Sequence, residues 1–488
     1  MDGLGCNEIL KSSIIKGSPE LRIDSEYYSR CYLQYDKIIR RNPGITIGEF
    51  AYVTDGIHTS IEFDENSHIN LISAKSPKEN YFDLSGNGYI SCAQHYANPR
   101  TALKKGDIIL STVGTIGKCA VVDDTVLPAN SDRHVAIIRV KERYNPYYVS
   151  TFLLSKYGRY QCNRFITGNV QPNLFLDKIR NIIVPCFSES FQEKVKQIVL
   201  YALNRQENSQ AIFHEAERIL KMELGMKDFR STNKTDFTKT FSSSFLESGR
   251  LDAEYYQPKY ENFEKHIKVG DYVLAGDICS DICYGTVPTS PYTMDGSGVP
   301  YIKGMNIKNT FVDNLEDLDR ITNTGSLPDK FYTKAGDIII SPMGTVADCG
   351  VISKKHENCL FGSFTIRLRL KNTVPFVPLF VGLYIQLLAK PYYFYRNIAH
   401  ASVRQNTDLP TVQNLFIPKL DLKKQILIAD KVQQFLNFRN VSNELFESAK
   451  FMVEVAIENG EDAALRKFED IECLQHCSNL QTMERHGD

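Results

Sequence analysis

Four stretches of this 488-residue chain carry residue types and spacings that could do chemistry. Gly114-Thr115-Ile116-Gly117-Lys118 looks like part of a phosphate loop, in which glycine N–H groups cradle an anion and a lysine reaches its outer oxygens. Thr112 stands where the first glycine should be, and Cys119 stands where a Ser or Thr would hold magnesium, so a tight turn between strands is expected instead. Cys279 with Cys283, and Cys473 with His476 and Cys477, are zinc-ligand types. No second ligand pair stands at a recurrent distance from either, so no metal site is expected. Asn145-Pro146-Tyr147 lacks the second proline of the segment with which amino-methyltransferases hold a flipped adenine. Neither a Gly-x-Ser-x-Gly elbow nor a His-Glu-x-x-His pair is present. No catalytic residue is nominated, and the chain reads as a binder.

The elements around these stretches repeat. Arg22-x-Asp24-x-Glu26-Tyr27-Tyr28 recurs as Arg250-x-Asp252-x-Glu254-Tyr255-Tyr256, and Gly106-Asp107-Ile108-Ile109-Leu110-Ser111 as Gly336-Asp337-Ile338-Ile339-Ile340-Ser341. Gly114-Thr115 and Cys119 return as Gly344-Thr345 and Cys349, and Arg164 and Ile166 as Arg396 and Ile398. Val170, Asn173, Pro185 and Gln192 match Val403, Asn406, Pro418 and Gln425. The order never breaks while the offset drifts from 228 to 233 residues, so one unit of about 230 residues is used twice.

Each copy opens with a short helical stretch, over 25–40 and 253–268, and continues with strand-rich sequence broken by Gly, Asn and Pro. Each closes with a long helix. Val195, Ile198, Val199, Ala202, Ile212, Ala216, Ile219 and Leu220 form the apolar stripe of the first. Ile428, Val432, Phe435, Leu436, Leu445, Ala449, Met452 and Val453 form that of the second. A helix over 192–224 is about 50 Å long and would leave its stripe in water if alone. An antiparallel pairing of the two is therefore expected, as a strut between the globular parts. The apolar run from Val374 to Leu388 is interrupted by Pro375, Pro378 and Gln386 and is expected to be core rather than a membrane span. Twelve scattered cysteines and the lack of an apolar signal core suit a reducing, cytoplasmic setting.

A formal charge of −1 argues on its face against a nucleic-acid partner. Cut by segment, it is a cancellation. Residues 91–180 hold 13 Lys/Arg against 6 Asp/Glu, residues 365–424 hold 9 against 2, and residues 444–488 hold 4 against 11. Two basic regions in one chain fit the phosphates of double-stranded DNA.

The run from Leu251 to Tyr260, the two Gly-Asp-Ile-Ile…Gly-Thr segments, and the Asn…Ile-Pro…Gln closure before each long helix together resemble the specificity subunit of type I restriction–modification systems. The resemblance runs from about Leu21 to Gly460. The second Gly-Thr turn lacks the Gly-Lys of the first, and the acidic tail after Gly460 has no counterpart role. The resemblance implies an α+β fold with two tandem-repeated target-recognition domains, separated by two long antiparallel coiled-coil helices in a pseudo-twofold arrangement. It implies a non-catalytic subunit that reads a bipartite, asymmetric DNA site and docks two methyltransferase subunits, joined by restriction/translocase subunits in the full complex. S-adenosylmethionine, ATP and Mg are then expected only on those partners, with no cofactor on this chain. The division expected is 1–188 for the first domain, 189–226 for the central helix, 227–420 for the second domain, 421–460 for the distal helix, and 461–488 for the tail. A specificity module of another methyltransferase-based defence system, without type I nuclease partners, is the alternative. A nuclease with an unrecognised site and a pure protein scaffold are the rivals from other classes.

The repeat supplies a sorting rule. Positions shared by the copies hold scaffold or phosphate, whereas polar positions that differ are candidates to read bases, since Arg and Lys suit guanine and Asn and Gln suit adenine. The base-reading candidates are His58, Lys75, His95, Asn130, Arg133 and His134 in the first copy. In the second they are Tyr284, Lys303, Asn306, Arg320 and Arg404. Lys118, Arg164 and Arg396 are the phosphate candidates, with helix capping as the other role open to the two arginines.

Overall fold

The computed structural model describes residues 9–17, 21–141, 144–167, 172–227, 229, 236–293, 296–325, 327–398 and 406–466. Val170, Val403, Arg404, Cys473, His476 and Cys477 lie outside them. Packing gathers the chain into two units, Met1–Gln206 with Asn440–Asp488, and Glu207–Arg439. This differs from the sequence division, which sets the helices apart. The reason is that each long helix, Glu189–Glu223 and Leu422–Asn459, is shared between two cores. Val195, Ile198, Val199 and Ala202 join the core of the first unit, with Leu445, Ala449, Met452 and Val453. Ala216, Ile219, Leu220, Ile428 and Val432 join that of the second.

In the first unit, the apolar runs Ala51–Asp55, Val135–Val140, Ile108–Ser111 and Cys119–Val121 form an antiparallel sheet in that spatial order. Strand alternation sends Ile108, Leu110, Ala136 and Ile138 to the helical side, and Ile109, Val135 and Ile137 to a smaller core on the other. The run is continuous because both faces are covered. A smaller sheet sets Ile69–Ile72 between Tyr89–Ile90 and Ala129–Ser131, the last parallel to it. Gly44–Thr46 pairs with Ile183–Pro185 before the long helix begins.

The second unit repeats the plan from its own residues. Cys279–Tyr284, Ile366–Leu370, Ile338–Ile340 and Cys349–Val351 stand in the same order, and Tyr272–Leu274 pairs with Phe416–Pro418. Its smaller sheet has four strands, Tyr292–Thr293, Asp319–Ile321, Val299–Ile302 and Leu360–Phe361. The run from Val374 contributes the buried helix Pro378–Tyr384 and the wide-turned helix Ile385–Phe394, which contains Pro391. No helix among the described residues is long and apolar enough to cross a membrane.

Buried polar groups hold equivalent positions in both units. Arg139 grips Asp107 through Nε and Nη2 at 2.8 and 2.7 Å, while Arg369 grips Asp337 at 2.7 Å through both. The same aspartates accept the Lys104 and Lys334 amides, each at 2.8 Å. Gln192 accepts from the Asn145 amide and donates to Phe187 O, as Gln425 does with Val377 and Leu420. On the long helices, Ser442 Oγ donates to Ala202 O at 2.8 Å in the first unit, and Ser209 Oγ donates to Phe435 O at 3.2 Å in the second. Within each unit the paired segments run antiparallel: Ser188 meets Glu461 and Ala202 meets Ser442 in one, Ser209 meets Phe435 and Glu223 meets Lys424 in the other.

Candidate nucleic-acid interface

In the first unit, three backbone segments converge at one end of the sheets. The Ile57 amide donates to Ser131 O at 2.8 Å, and the Asp132 amide to Ile72 O at 3.0 Å. A side chain at Gly56 would place its Cβ 2.1 Å from Asp132 O, so glycine alone permits this approach. The Gly-Thr turn joins them: Thr115 Oγ1 donates to Ala74 O, and Thr112 Oγ1 to His134 O. That turn links strand to strand, with Gly114 and Gly117 at φ of 71° and 88°, and no helix follows to receive a phosphate. In the second unit Ala347 holds φ 63° where the first has Gly117, so the missing Gly-Lys leaves the turn's shape intact.

The convergence bounds a cleft of about 420 Å³, lined by Asp55, His58, Thr112, Val113, Arg133, His134 and the segment from Asn173 to Leu176. His58, Arg133 and His134 are thus brought together, and exposed Lys75 projects from the neighbouring segment. His58 Nε2 lies 2.6 Å from Asp55 Oδ2, and Arg100 binds the other oxygen at 3.1 Å. Burial works against the Asp55 charge, but the hydrogen bonds from His58 and Arg100 outweigh it and hold its carboxyl below the usual range. His134 Nδ1 stands 3.2 Å from Asp132. Exposed Arg133 has no ion-pair or hydrogen-bond partner among the described residues. Its planar fork is the group that matches guanine O6 and N7. Asp55, Arg100 and Phe175 were not among the residues singled out from sequence.

Other candidates are placed elsewhere or already engaged. Asn130 is a correction: it lies wholly buried in the strand Ala129–Ser131, opposite Leu71, where the second copy has Leu360. It cannot reach a base. Asn306 is a second correction. Its Oδ1 accepts the Lys303 amide at 2.9 Å and its Nδ2 donates to Asp313, closing a turn that Ser76 closes in the first unit. Arg164 and Arg396 are corrected as free phosphate contacts. Arg22 and Arg164 stack on Tyr27, 4.6 and 4.3 Å from the ring centre, as Arg250 and Arg396 stack on Tyr255 at 4.4 and 4.5 Å. Both also bind backbone, at Tyr27 O and Tyr255 O, and pair with Asp36 and Glu264. Lys118 is bound to Glu79, which also takes Arg159 and Lys450. Lys303 pairs with Asp319 and covers Tyr292, and Arg320 donates to Gly298 O. His95 sits half-buried on the helix Cys92–Ala97 against Tyr96, away from the cleft lining.

The same three segments converge in the second unit. The Thr286 amide donates to Phe361 O at 2.9 Å and the Gly362 amide to Ile302 O at 2.9 Å, while a Cβ on Gly285 would stand 2.1 Å from Phe361 O. Here Tyr284, Val287, Met305, Ser363 and Phe364 take the places of Asp55, His58, Lys75, Arg133 and His134. Four of the five are exposed large apolar or aromatic residues, with Tyr284 at 37%, Val287 at 63%, Met305 at 72% and Phe364 at 67%. Three of them escaped the sequence rule, which looked only for polar side chains. The signal was available by carrying His58, Lys75 and His134 across the repeat at offsets of 229 and 230.

No family model matches the chain, and no curated protein does. Solved structures that match it include two specificity subunits of type I restriction–modification systems. The S subunit from M. genitalium is 10% identical, with a TM-score of 0.43, over 85% of this chain and 95% of that one. The HsdS subunit from Thermoanaerobacter tengcongensis is 14% identical, with a TM-score of 0.28, over 86% and 97%. A structure concerned with complex assembly and conformational transition of the type I R-M system is 15% identical, with a TM-score of 0.29, over 86% and 98%. Among the described residues, no group of three or more His, Cys, Asp or Glu could hold a metal ion.

Proposed function

We propose that this chain is the DNA sequence-recognition subunit of a type I restriction–modification complex. Its two units are target-recognition domains, and each reads one half of a bipartite, asymmetric site. The chain itself is non-catalytic and works in the cytoplasm. It docks two methyltransferase subunits, joined by restriction/translocase subunits, and S-adenosylmethionine, ATP and Mg act on those partners. One observation carries the reading: two equivalent frames present different side chains at equivalent exposed places. That is what a protein needs when it reads two unlike half-sites with one architecture. Unpartnered Arg133 in an open cleft and the basic balance of both regions support a polyanionic ligand that carries a readable code. The test is selection of bound duplexes from a random pool by the full chain with its methyltransferase, followed by a salt titration. A bipartite motif and affinity that falls steeply with salt are expected. Salt-independent binding, or no selected motif, would overturn the proposal.

A further inference from the structure

The second unit's surface poses a chemical question. Val287, Met305 and Phe364 are large, apolar and exposed, on three different segments that the backbone draws together. Their adjacency is direct: the Ser363 amide donates to Thr286 O at 2.8 Å, and a Cβ on Gly304 would lie 3.8 Å from Phe364 O. Burying these side chains would stabilise the fold, yet the chain leaves them in water. They occupy the positions where the first unit carries His58, Lys75 and His134, beside the free guanidinium of Arg133.

We infer that the second unit reads thymine, through contact of Phe364, Val287 and Met305 with the C5-methyl groups that thymine displays in the major groove. The inference rests on the DNA-reading function proposed above. Thymine is the base whose major-groove edge carries an apolar group, and a phenyl ring or aliphatic side chain is what matches it. The equivalence of the two frames selects this occupant over a protein. Whatever meets Arg133, His58 and His134 in one unit meets Phe364, Val287 and Met305 in the other, and the ligand common to both must offer polar edges at one place and apolar groups at another. A duplex does so. Tyr284 adds a ring with a hydroxyl at the same edge.

The experiment compares three forms of the full chain, wild type, Phe364→Ala and Phe364→Leu, together with Arg133→Ala, in selection from random duplexes. Arg133→Ala changes one half of the motif and Phe364→Ala the other, which assigns the halves to the units. In the half that Phe364→Ala changes, each thymine is then replaced by uracil, which lacks only the methyl group. Wild type and Phe364→Leu should lose about fourfold in affinity per methyl removed, as one buried methyl group predicts. Phe364→Ala should no longer distinguish thymine from uracil. A motif with no thymine in that half, or equal binding of the uracil duplexes by wild type, overturns the inference while leaving DNA reading intact. Phe364→Ala that selects the wild-type motif but no longer assembles with its methyltransferase would assign the surface to a protein and overturn it too. Absence of any selected motif in wild type would instead remove the function on which it rests.

Discussion

Set side by side, the cleft around Arg133 and the surface around Phe364 share their backbone and almost nothing else. The amides of Ile57 and Thr286, and those of Asp132 and Gly362, make equivalent bonds. The side chains above them are all polar or charged in one unit and mostly apolar or aromatic in the other. The lesson is that shape and chemistry are held by separate sets of atoms. Backbone ladders, buried Asp–Arg grips and buried glutamines keep the frame, and none of these groups is among the exposed positions. The exposed positions are then free to change, because a surface substitution seldom costs more than about 0.5 kcal/mol.

The comparison breaks first if the frames are not equivalent. Asp107→Ala and Asp337→Ala each strand an arginine, and each should cost its unit about 4 kcal/mol, the usual loss when one partner of a largely buried pair is removed. Urea unfolding followed by hydrogen exchange on the strand peptides of each unit measures both. A loss in only one unit would show that the shared grip does unequal work.

Glu79 marks a place where the units differ inside. Burial opposes its charge, but Lys450, Arg159 and Lys118 overcome this and hold the carboxyl at about 2, against an ordinary 4.5. The second unit carries the opposite polarity at the position of Lys118, with Asp348 bound to Lys390. A depressed carboxyl stabilises the folded form above its unfolded value, and this contribution fades as pH falls from about 4.5 toward 2. Glu79→Gln should therefore cost the first unit about 3 kcal/mol near neutrality. The gap from wild type should narrow by roughly 2 kcal/mol between about pH 5 and pH 3. Unfolding midpoints across that range check it, and a constant gap would contradict the charge argument.

Arg133→Ala sharpens the comparison at the surface. Loss of one bidentate base contact should weaken binding about 10–100-fold and relax one half of the recognised motif, leaving the other unchanged. Methylome sequencing of a host carrying the variant reads this out directly. The smallest effect belongs to Gly117→Ala. The second unit tolerates Ala347 at the same positive φ, and nothing lies within 4 Å of the added Cβ, so the cost should be about 1 kcal/mol of left-handed strain. A larger loss in unfolding would mean that the two turns are not interchangeable.

Much of the frame is legible in the sequence alone. The repeat, the strand at Ile108, the Gly-Thr turn and both long helices follow from matched residues and periodicity. What was not legible depends on pairing across distance. Asn130 reads as a polar loop residue until Ala129–Ser131 is seen to lie parallel to Ile69–Ile72, buried on both sides. Arg164 and Arg396 read as surface cations until the tyrosines between them and Arg22 and Arg250 appear. Met305 and Phe364 were passed over because exposure, which makes an apolar residue informative, is not written in its type.

The glycines at 56 and 285 carry a consequence for engineering. Each is a joint that no side chain can enter, and beyond each joint the chain runs out to the exposed positions and returns to meet it. A segment exchanged between two such joints would arrive on the same anchor, with its ends already in register. Specificity in a protein built this way can be transplanted as a cassette, cut at the glycine, without redesigning what lies beneath.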